Sequence, residues 1–470
     1  MANQLVWFRN DLRICDHAPL SEALVAAHQH NSRISAAFIW SPEQFRQQGA
    51  GSPKLAAYQQ ALDALNDDLA ALGVELQIIT APSWQQGVTD LIELCTRLEV
   101  DNIYCHYEPG WDERLRDGQF HDQAPEQMHL HRANDLYSAP PRQLLTLQGN
   151  FYKVFTPYKR NLLAQIIDTL VAPRPAPNNG FPSQAAKPLA LGERFVWDNP
   201  MQLPVLEQQA HERLDDFMDQ MNDYSSLRDI PARAGTSLLS TSLALGTLSS
   251  RQVLWTIAQR QALTSSNAFL SEILWREFYK YLLAWQPELC LGKAFNPKWD
   301  KFPWQTDPSL LQRWQEGQTG VPLVDAAARQ LNQTGWMHNR LRMVSAMYLV
   351  KILQVDWRHG EAWFARQLAD FDFAANNGGW QWVASTGVDA TPYFRIFNPH
   401  EQSRRFDPDG DFIRKYVPEL APLANKAIHQ PTPELALALG YPLPVADYKS
   451  SRADTLIKFK TLGQDYDQHH

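Results

Sequence analysis

Near residue 206 the apolar residues of this chain change their period. Before residue 135, short apolar runs at Leu5–Phe8, Ile34–Trp40, Leu76–Thr80 and Asn102–Tyr107 alternate with amphipathic stretches at Pro19–Ala27, Pro53–Leu72 and Trp84–Leu98. Runs of that kind are buried strands, and strands alternating with helices over short connections make a parallel sheet covered on both faces. After residue 206 the apolar spacing is 3, 4 and 7, strand patterns vanish, and the chain reads as all-helical. Seven prolines between Pro173 and Pro204, with Asn178, Asn179 and Gly180 among them, mark a connector running over the surface. The expected division is an α/β domain over 1–135, a connector over 136–205 and a helical domain over 206–470.

Composition removes several classes. With 470 residues, 44% hydrophobic and 20% charged, the chain is neither disordered nor a disulfide scaffold. No apolar run reaches the ~18 residues of a membrane span, so no membrane role is expected. The start, MANQLVWFRNDLRICDH, lacks the basic and apolar regions of a secretory signal. Cys15, Cys95, Cys105 and Cys290 match no zinc spacing, which fits reduced thiols and a cytoplasmic protein. No G-x-G-x-x-G follows the first strand, so the Rossmann-like half lacks a dinucleotide fingerprint. The net charge of −8 argues against a wholly basic nucleic-acid binder, but residues 1–150 carry most of that acidity. The remainder holds 33 basic against 32 acidic residues and has room for a basic face.

Eleven of the sixteen tryptophans fall between Trp255 and Trp382, and the chemistry-bearing segments cluster there. Ser271–Trp285 is a helix whose apolar stripe is Leu274, Phe278, Tyr281, Leu282 and Trp285. Glu272, Trp275, Arg276 and Tyr279 share another face at helical spacing, where an indole and a carboxylate suit a flat, partly polar ligand. In Thr334–Leu353 the helix begins near His338, placing Asn339, Arg342, Met343 and Ala346 together. Arg340 points elsewhere and suits a phosphate. Asn339 is equally a helix cap, and Met343 equally core. Asn377-Gly378-Gly379 reads as a turn able to approach a ligand closely, with Asp370 and Asp372 available to pair with Arg342. Gly235-Thr236-Ser237 and Ser240, at a helix start, suit a phosphate or a cap. His129 and His131 on a strand read as ordinary residues rather than a metal pair.

These motifs together carry a resemblance. LVWFRNDLRICDHAPL at 5–20, YKVFTPYKR at 152–160, GTSLLS at 235–240 and EILWREFY at 272–279 are similar to the DNA photolyase/cryptochrome family. So are TGWMHNRLRM at 334–343, AANNGGWQW at 374–382 and YFRIFNP at 393–399. Within the family the chain resembles the bacterial class I cyclobutane pyrimidine dimer photolyases from end to end. The resemblance implies an N-terminal α/β domain, a long connector and a helical domain that binds FAD. It also implies light-driven electron transfer from reduced FAD into a flipped-out pyrimidine dimer of UV-damaged DNA, with no hydrolytic acid, base or nucleophile.

Carried over residue by residue, the resemblance assigns Tyr224, Thr236, Ser237, Leu238, Leu239 and Ser240 to the FAD phosphates. Arg342, Asp370, Phe371 and Asp372 fall on the ring and ribitol side, and Asn376 beside the reactive ring nitrogen. Glu272 matches the acid that bonds the dimer carbonyls, and Trp275 and Trp382 the indoles that sandwich the dimer. Arg228, Asn339, Arg340, Met343 and Gln402 match lesion or backbone contacts. Trp380, Trp357 and Trp304 match a chain carrying electrons to oxidised flavin. Two departures stand out. Leu238 occupies a position where relatives often place a basic residue. Asp112-Glu113 stands where folate-binding relatives have Asn-Glu, and Leu291 stands where they offer lysine. A 5,10-methenyltetrahydrofolate antenna held by Asp112 and Glu113 is the expectation, in a monomer. A cryptochrome-type photoreceptor without repair is the alternative. Against it stand the retained Glu272 and a chain that runs little beyond the helical domain. Repair of the (6-4) photoproduct would need histidines at Asn339 and Met343.

Overall fold

The computed structural model describes residues 3–178 and 181–469. Asn179 and Gly180, part of the expected connector signal, lie outside the described residues. The chain divides into two compact units. The first comprises Met1–Trp197, Gln202–Met221 and Ser237–Pro287; the second comprises Asp198–Met201, Asn222–Thr236 and Glu288–His470.

The first unit is built on a five-stranded parallel sheet of β1 (Asn3–Phe8), β2 (Ile34–Trp40), β3 (Glu75–Thr80), β4 (Val100–His106) and β5 (His129–Ala133). Its order is β3-β2-β1-β4-β5. In register, Leu5 lies opposite Ser35 on one side and Ile103 on the other. Strands β1 and β2 are buried almost without interruption, as a sheet covered on both faces requires. The edge strand β5 is largely exposed, which explains its weak apolar signal. The intervening helices are α1 (Ala18–His30), α2 (Ser52–Ala71), α3 (Trp84–Arg97) and α4 (Trp111–Gln123). His17 caps α1 and Ser83 caps α3, each accepting a backbone N–H, from Leu20 and Gln86 respectively.

Two features depart from the expected connector over 136–205. It contains a 15-residue helix, α5 (Phe155–Thr169), and the proline-rich stretch is tied down rather than merely lying on the surface. The Trp40 indole donates to the Leu191 carbonyl at 2.8 Å, the Asn66 amide to that of Lys187 at 2.9 Å, and the Gln184 N–H to that of Ala70 at 3.0 Å. Proline denies this stretch a ladder, so side chains of β2 and α2 satisfy its carbonyls instead. The unit also holds α6 (Glu207–Gln220), α7 (Ser250–Arg260) and α8 (Ala268–Trp285).

The second unit has no strand among its described residues. Its main helices are α9 (Pro322–Thr334), α10 (Asn339–Met347), α11 (Trp357–Gln367), α12 (Phe373–Ala384) and α13 (Tyr448–His469). Gly335 ends α9 at φ 71°, a conformation open to glycine. A π-helical turn, Tyr348–Ile352, continues α10. The core gathers Trp314, Leu331, Leu341, Leu349, Trp357, Trp380 and Ile413. No helix of the described residues is long and apolar enough to cross a membrane.

Candidate functional site

In the first unit, α8 presents two faces as its spacing requires. Leu274, Phe278, Tyr281 and Leu282 are buried, while Glu272, Trp275, Arg276 and Tyr279 are half-buried; Trp285, expected in the apolar stripe, is also only half-buried at the end of the helix. The Arg276 guanidinium donates to the Leu243 carbonyl at 2.7 Å, which ties this face to the helix Ser240–Leu245. The Trp275 ring lies parallel to Phe155 at 3.7 Å between centroids. Ser237 receives a bond from the Arg213 guanidinium on its carbonyl at 2.8 Å. Ser240 opens the short helix Ser240–Leu245 without a side-chain cap, so capping does not account for that hydroxyl. Leu238 has φ 58°, a left-handed conformation that costs a branched residue on the order of 1 kcal/mol or more. Leu239 is buried.

In the second unit, Arg342 donates from Nε to the Met337 carbonyl at 2.8 Å and pairs with buried Asp370 at 2.7 Å. Only one Asp370 oxygen is used; Oδ1 is buried without a donor among the described residues. A buried acceptor beside a guanidinium fits a ligand bringing N–H or O–H groups and negative charge, which FAD does. Phe371 is half-buried beside it. Asp372 caps α12, accepting from the Ala375 N–H at 3.0 Å. That cap overturns the expected Asn377-Gly378-Gly379 turn: these residues lie inside α12, with helical geometry and no positive φ. Glycine weakens a helix by ~1 kcal/mol, but the cap and packing against α11 outweigh it. Close approach happens instead at Gly360 of α11, where a Cβ would fall 2.1 Å from the Trp380 ring.

The Asn376 amide donates to the Glu361 carbonyl at 3.0 Å, leaving its oxygen as the side chain's acceptor. Asn377 donates to the Glu361 carboxylate at 2.8 Å, and burial pushes that carboxyl up to about 7. Neither Glu361 nor its role was visible in the sequence, because no periodicity marks it.

Trp380 is buried, meeting Phe364 edge-on at 4.9 Å and Trp314 at 6.0 Å. Trp357 is wholly buried under Arg358, and Trp304 is half-buried against Phe302. No ring contact joins Trp380, Trp357 and Trp304 directly among the described residues; the ring partners of Trp380 are Trp314 and Phe364.

Asn339 is exposed at the first position of α10; the cap is His338, whose Nδ1 accepts from Arg340 N–H at 3.2 Å. Burial pushes His338 down to about 4, and neighbouring Arg340 and Arg342 keep it neutral. Arg340 pairs with Asp229 at 2.8 Å and lies over the Phe406 ring at 4.5 Å. Arg228 is 4.0 Å from the same carboxylate and over Tyr224 at 5.2 Å. Met343, Trp382 and Gln402 are half-buried, and Thr236 lies at the end of the same stretch as Tyr224.

At the carboxyl ends of β1 and β2 the sheet has a narrow cleft, open to solvent, lined by Trp7, Phe38, Tyr58, Trp84, Arg9 and Arg116. The Arg9 guanidinium stacks 4.1 Å over Trp7, and that of Arg116 lies 4.8 Å from Trp84. Strand ends are where open α/β sheets bind ligands, and the missing glycine fingerprint had hidden it. Asp112 accepts from Gln48 at 3.0 Å, and burial with the nearby Glu108 pushes Glu113 up to about 7. Asp11, His17 and His106 bring three ligand atoms within 4.8 Å of one another. Each is already engaged: Leu20 N–H donates to His17 Nδ1, so His17 Nε2 carries the proton toward Asp11 at 3.0 Å. The cluster is a hydrogen-bonded network, not a metal cradle.

Comparison with known proteins agrees along the whole chain. The FAD binding domain of DNA photolyase matches residues 269–461, and the DNA photolyase domain residues 4–178. A deoxyribodipyrimidine photo-lyase of Salmonella typhimurium is 39% identical over 98% of this chain and 99% of its own. One of Vibrio cholerae is 40% identical over 97% and 99%. The crystal structure of a class III photolyase from Agrobacterium tumefaciens superposes with a TM-score of 0.85 at 32% identity, covering 99% of this chain and 98% of that one. An archaeal photolyase from Sulfolobus tokodaii, described with two FAD molecules and a novel light-harvesting cofactor, gives 0.78 at 27%, covering 97% and 99%.

Proposed function

The chain belongs to the DNA photolyase family, and we propose that it splits cyclobutane pyrimidine dimers in UV-damaged DNA under blue light. The observation that carries this reading is the α8 face on which Glu272 and Trp275 stand together, half-buried. Bound FAD, reduced in the active state, would supply redox-neutral photochemistry: an electron lent to the dimer and returned once its two carbon–carbon bonds have broken. The chain's own residues bind and orient. Glu272 hydrogen-bonds the dimer carbonyls, and Trp275 and Trp382 stack on the extruded bases. Arg342, Asp370 and Asn376 hold the cofactor's ring side, with Tyr224, Thr236, Ser237 and Ser240 toward its phosphates. Arg228 and Arg340 face the DNA backbone.

Glu113, whose carboxyl burial pushes up to about 7 and so leaves partly protonated at neutral pH, supports a folate antenna by offering a hydrogen-bond donor. Illumination of the flavin-loaded protein with dimer-containing oligothymidine tests the main reading. Restored thymine absorbance supports it, whereas binding without repair favours the photoreceptor alternative. Mass analysis of chromophores released from the purified protein decides whether folate is among them.

A further inference from the structure

We infer that Phe155 is a positioning residue that fixes Trp275 as a stacking platform with one open face, an inference resting on the reading of Trp275 as a lesion contact. The two rings lie within 13° of parallel at 3.7 Å, so no base fits between them. Phe155 is the one ring stacked parallel on Trp275 among the described residues; Phe278 meets the indole edge-on at 5.7 Å and Tyr279 at a tilt. Trp275 nonetheless remains half-buried, so the remaining area is what a ligand can cover.

Phe155 is not a lid. It is 5% exposed, begins α5, and packs edge-on at 5.8 Å against Phe278, which is wholly buried one turn along α8 from Trp275. Tyr158, on the next turn of α5, packs on Phe278 and Tyr281, both at 4.9 Å. Lys159 lies 5.6 Å from the Phe155 ring and donates to the Ser265 carbonyl at 3.1 Å and the Ser271 hydroxyl at 3.3 Å. Both ends of the brace are thus tied to α8 and the residues that lead into it. A ring held on one face keeps the indole from rotating, so the extruded lesion meets a platform already in its bound pose and less ordering opposes binding.

The test measures binding of damaged and undamaged DNA to the flavin-loaded protein for Phe155→Leu, Phe155→Tyr, Trp275→Ala and the Leu/Ala double variant. Phe155→Leu is expected to weaken damaged-strand binding roughly three- to tenfold, the range of an aromatic pair. Undamaged binding and the salt slope should stay put, and Phe155→Tyr should restore affinity. In the Trp275→Ala background the Phe155→Leu effect should vanish, since it acts through the indole. Additive losses in the double variant, or equal loss on both DNAs, would make Phe155 merely structural and overturn the inference. Tighter damaged-strand binding by Phe155→Leu would overturn it too, showing that Phe155 sits on the lesion's own face. If Phe155→Leu does not fold with flavin, Phe155→Met is read by the same criteria. Damaged-strand loss in Trp275→Ala but not in the Phe155 variants defeats only the brace. No loss in Trp275→Ala defeats the platform reading, and the brace with it.

Discussion

In the first unit Asp11, His106 and Asp135 bury their charges against one another, whereas in the second Lys351 is buried against a hydroxyl, a carbonyl and a ring. Asp11 holds His17 and His106, and His106 Nε2 reaches Asp135 at 2.9 Å. Asp135 in turn meets Arg174 at 2.8 Å and Arg251 at 3.1 Å. Burial opposes the charge of His106, but Asp11 and Asp135 outweigh it and raise its pKa. Lys351, in the π-helical turn, bonds Ser385 Oγ at 2.9 Å and the Ala384 carbonyl at 3.3 Å, with the Phe459 ring at 3.8 Å. No carboxylate pairs with it among the described residues, and burial alone drives its pKa well below 10.5. The contrast separates two outcomes of the same desolvation. His106, with a carboxylate at each ring nitrogen, keeps its charge; His17, with Asp11 alone, and Lys351, with no carboxylate, give up the proton.

The largest effect is expected from breaking the network. Asp11→Ala leaves His106 charged and buried with one partner fewer, a loss of about 3–5 kcal/mol. Urea unfolding should show it as a shifted midpoint; an unchanged midpoint would mean the network carries no net energy. The same unit should respond to acid. Burial lowers His17 to about 4 from an unfolded value of 6.5, so the unfolded chain takes up a proton first as pH falls. Stability should drop by about 3 kcal/mol between pH 6.5 and 4, and His17→Asn should flatten that part of the profile.

Next in size is Glu272→Ala. A charged hydrogen bond in a desolvated lesion pocket is worth roughly 1.5–3 kcal/mol, so dimer affinity and splitting yield should both fall while FAD is retained. Repair per absorbed photon and affinity both equal to wild type would remove Glu272 from the site. The contrast with Asp11 is informative: Asp11→Ala should cost stability, and Glu272→Ala function.

How far the sequence disclosed all this follows from where its signals come from. The strands β1 to β4 and the face of α8 were legible because burial imposes a period on residue type. The Arg342–Asp370 pair was legible because both residue types stood in chemistry-bearing motifs. Asn377-Gly378-Gly379 misled because glycine's local preference for turns was overruled by the Asp372 cap and by α11. Phe155, Glu361 and Asp229 were not singled out because each acts through a partner distant in sequence. The strand-end cleft stayed hidden for a related reason: its walls come from several elements and bear no glycine motif.

Lys351 offers a sharper test of the unpaired side of the comparison. Between its depressed folded pKa and about 10.5 the unfolded state holds the proton and the folded state does not. Wild-type stability should therefore rise with pH in that window, by about 1.4 kcal/mol per unit. Lys351→Met, of similar length and without the charge, should lack the rise and gain most over wild type at the low end of the window. Parallel curves for the two proteins between pH 7 and 9 would show that Lys351 keeps its proton when folded, and the contrast with His106 would fail.

The smallest effect concerns a pair that is neither deeply buried nor alone. Arg340 meets Asp229 while part of both side chains remains exposed, so the pair is worth only ~0.2–1 kcal/mol. A DNA phosphate approaching Arg340 must compete with that carboxylate. Arg340→Ala should weaken binding to damaged and undamaged DNA by similar factors and make the log–log salt slope shallower by about 1. Asp229→Asn should do the reverse, tightening both roughly two- to threefold, a gain within the range of one exposed pair. The gain should shrink as salt rises, because the freed charge is screened like any other near the surface. Arg228, 4.0 Å from the same carboxylate, should preserve part of the gain when Asp229→Asn is combined with Arg340→Ala. If Asp229→Asn leaves both affinities unchanged at low salt while Arg340→Ala lowers them, the carboxylate does not compete with phosphate. Arg340 would then reach the backbone from a position clear of Asp229.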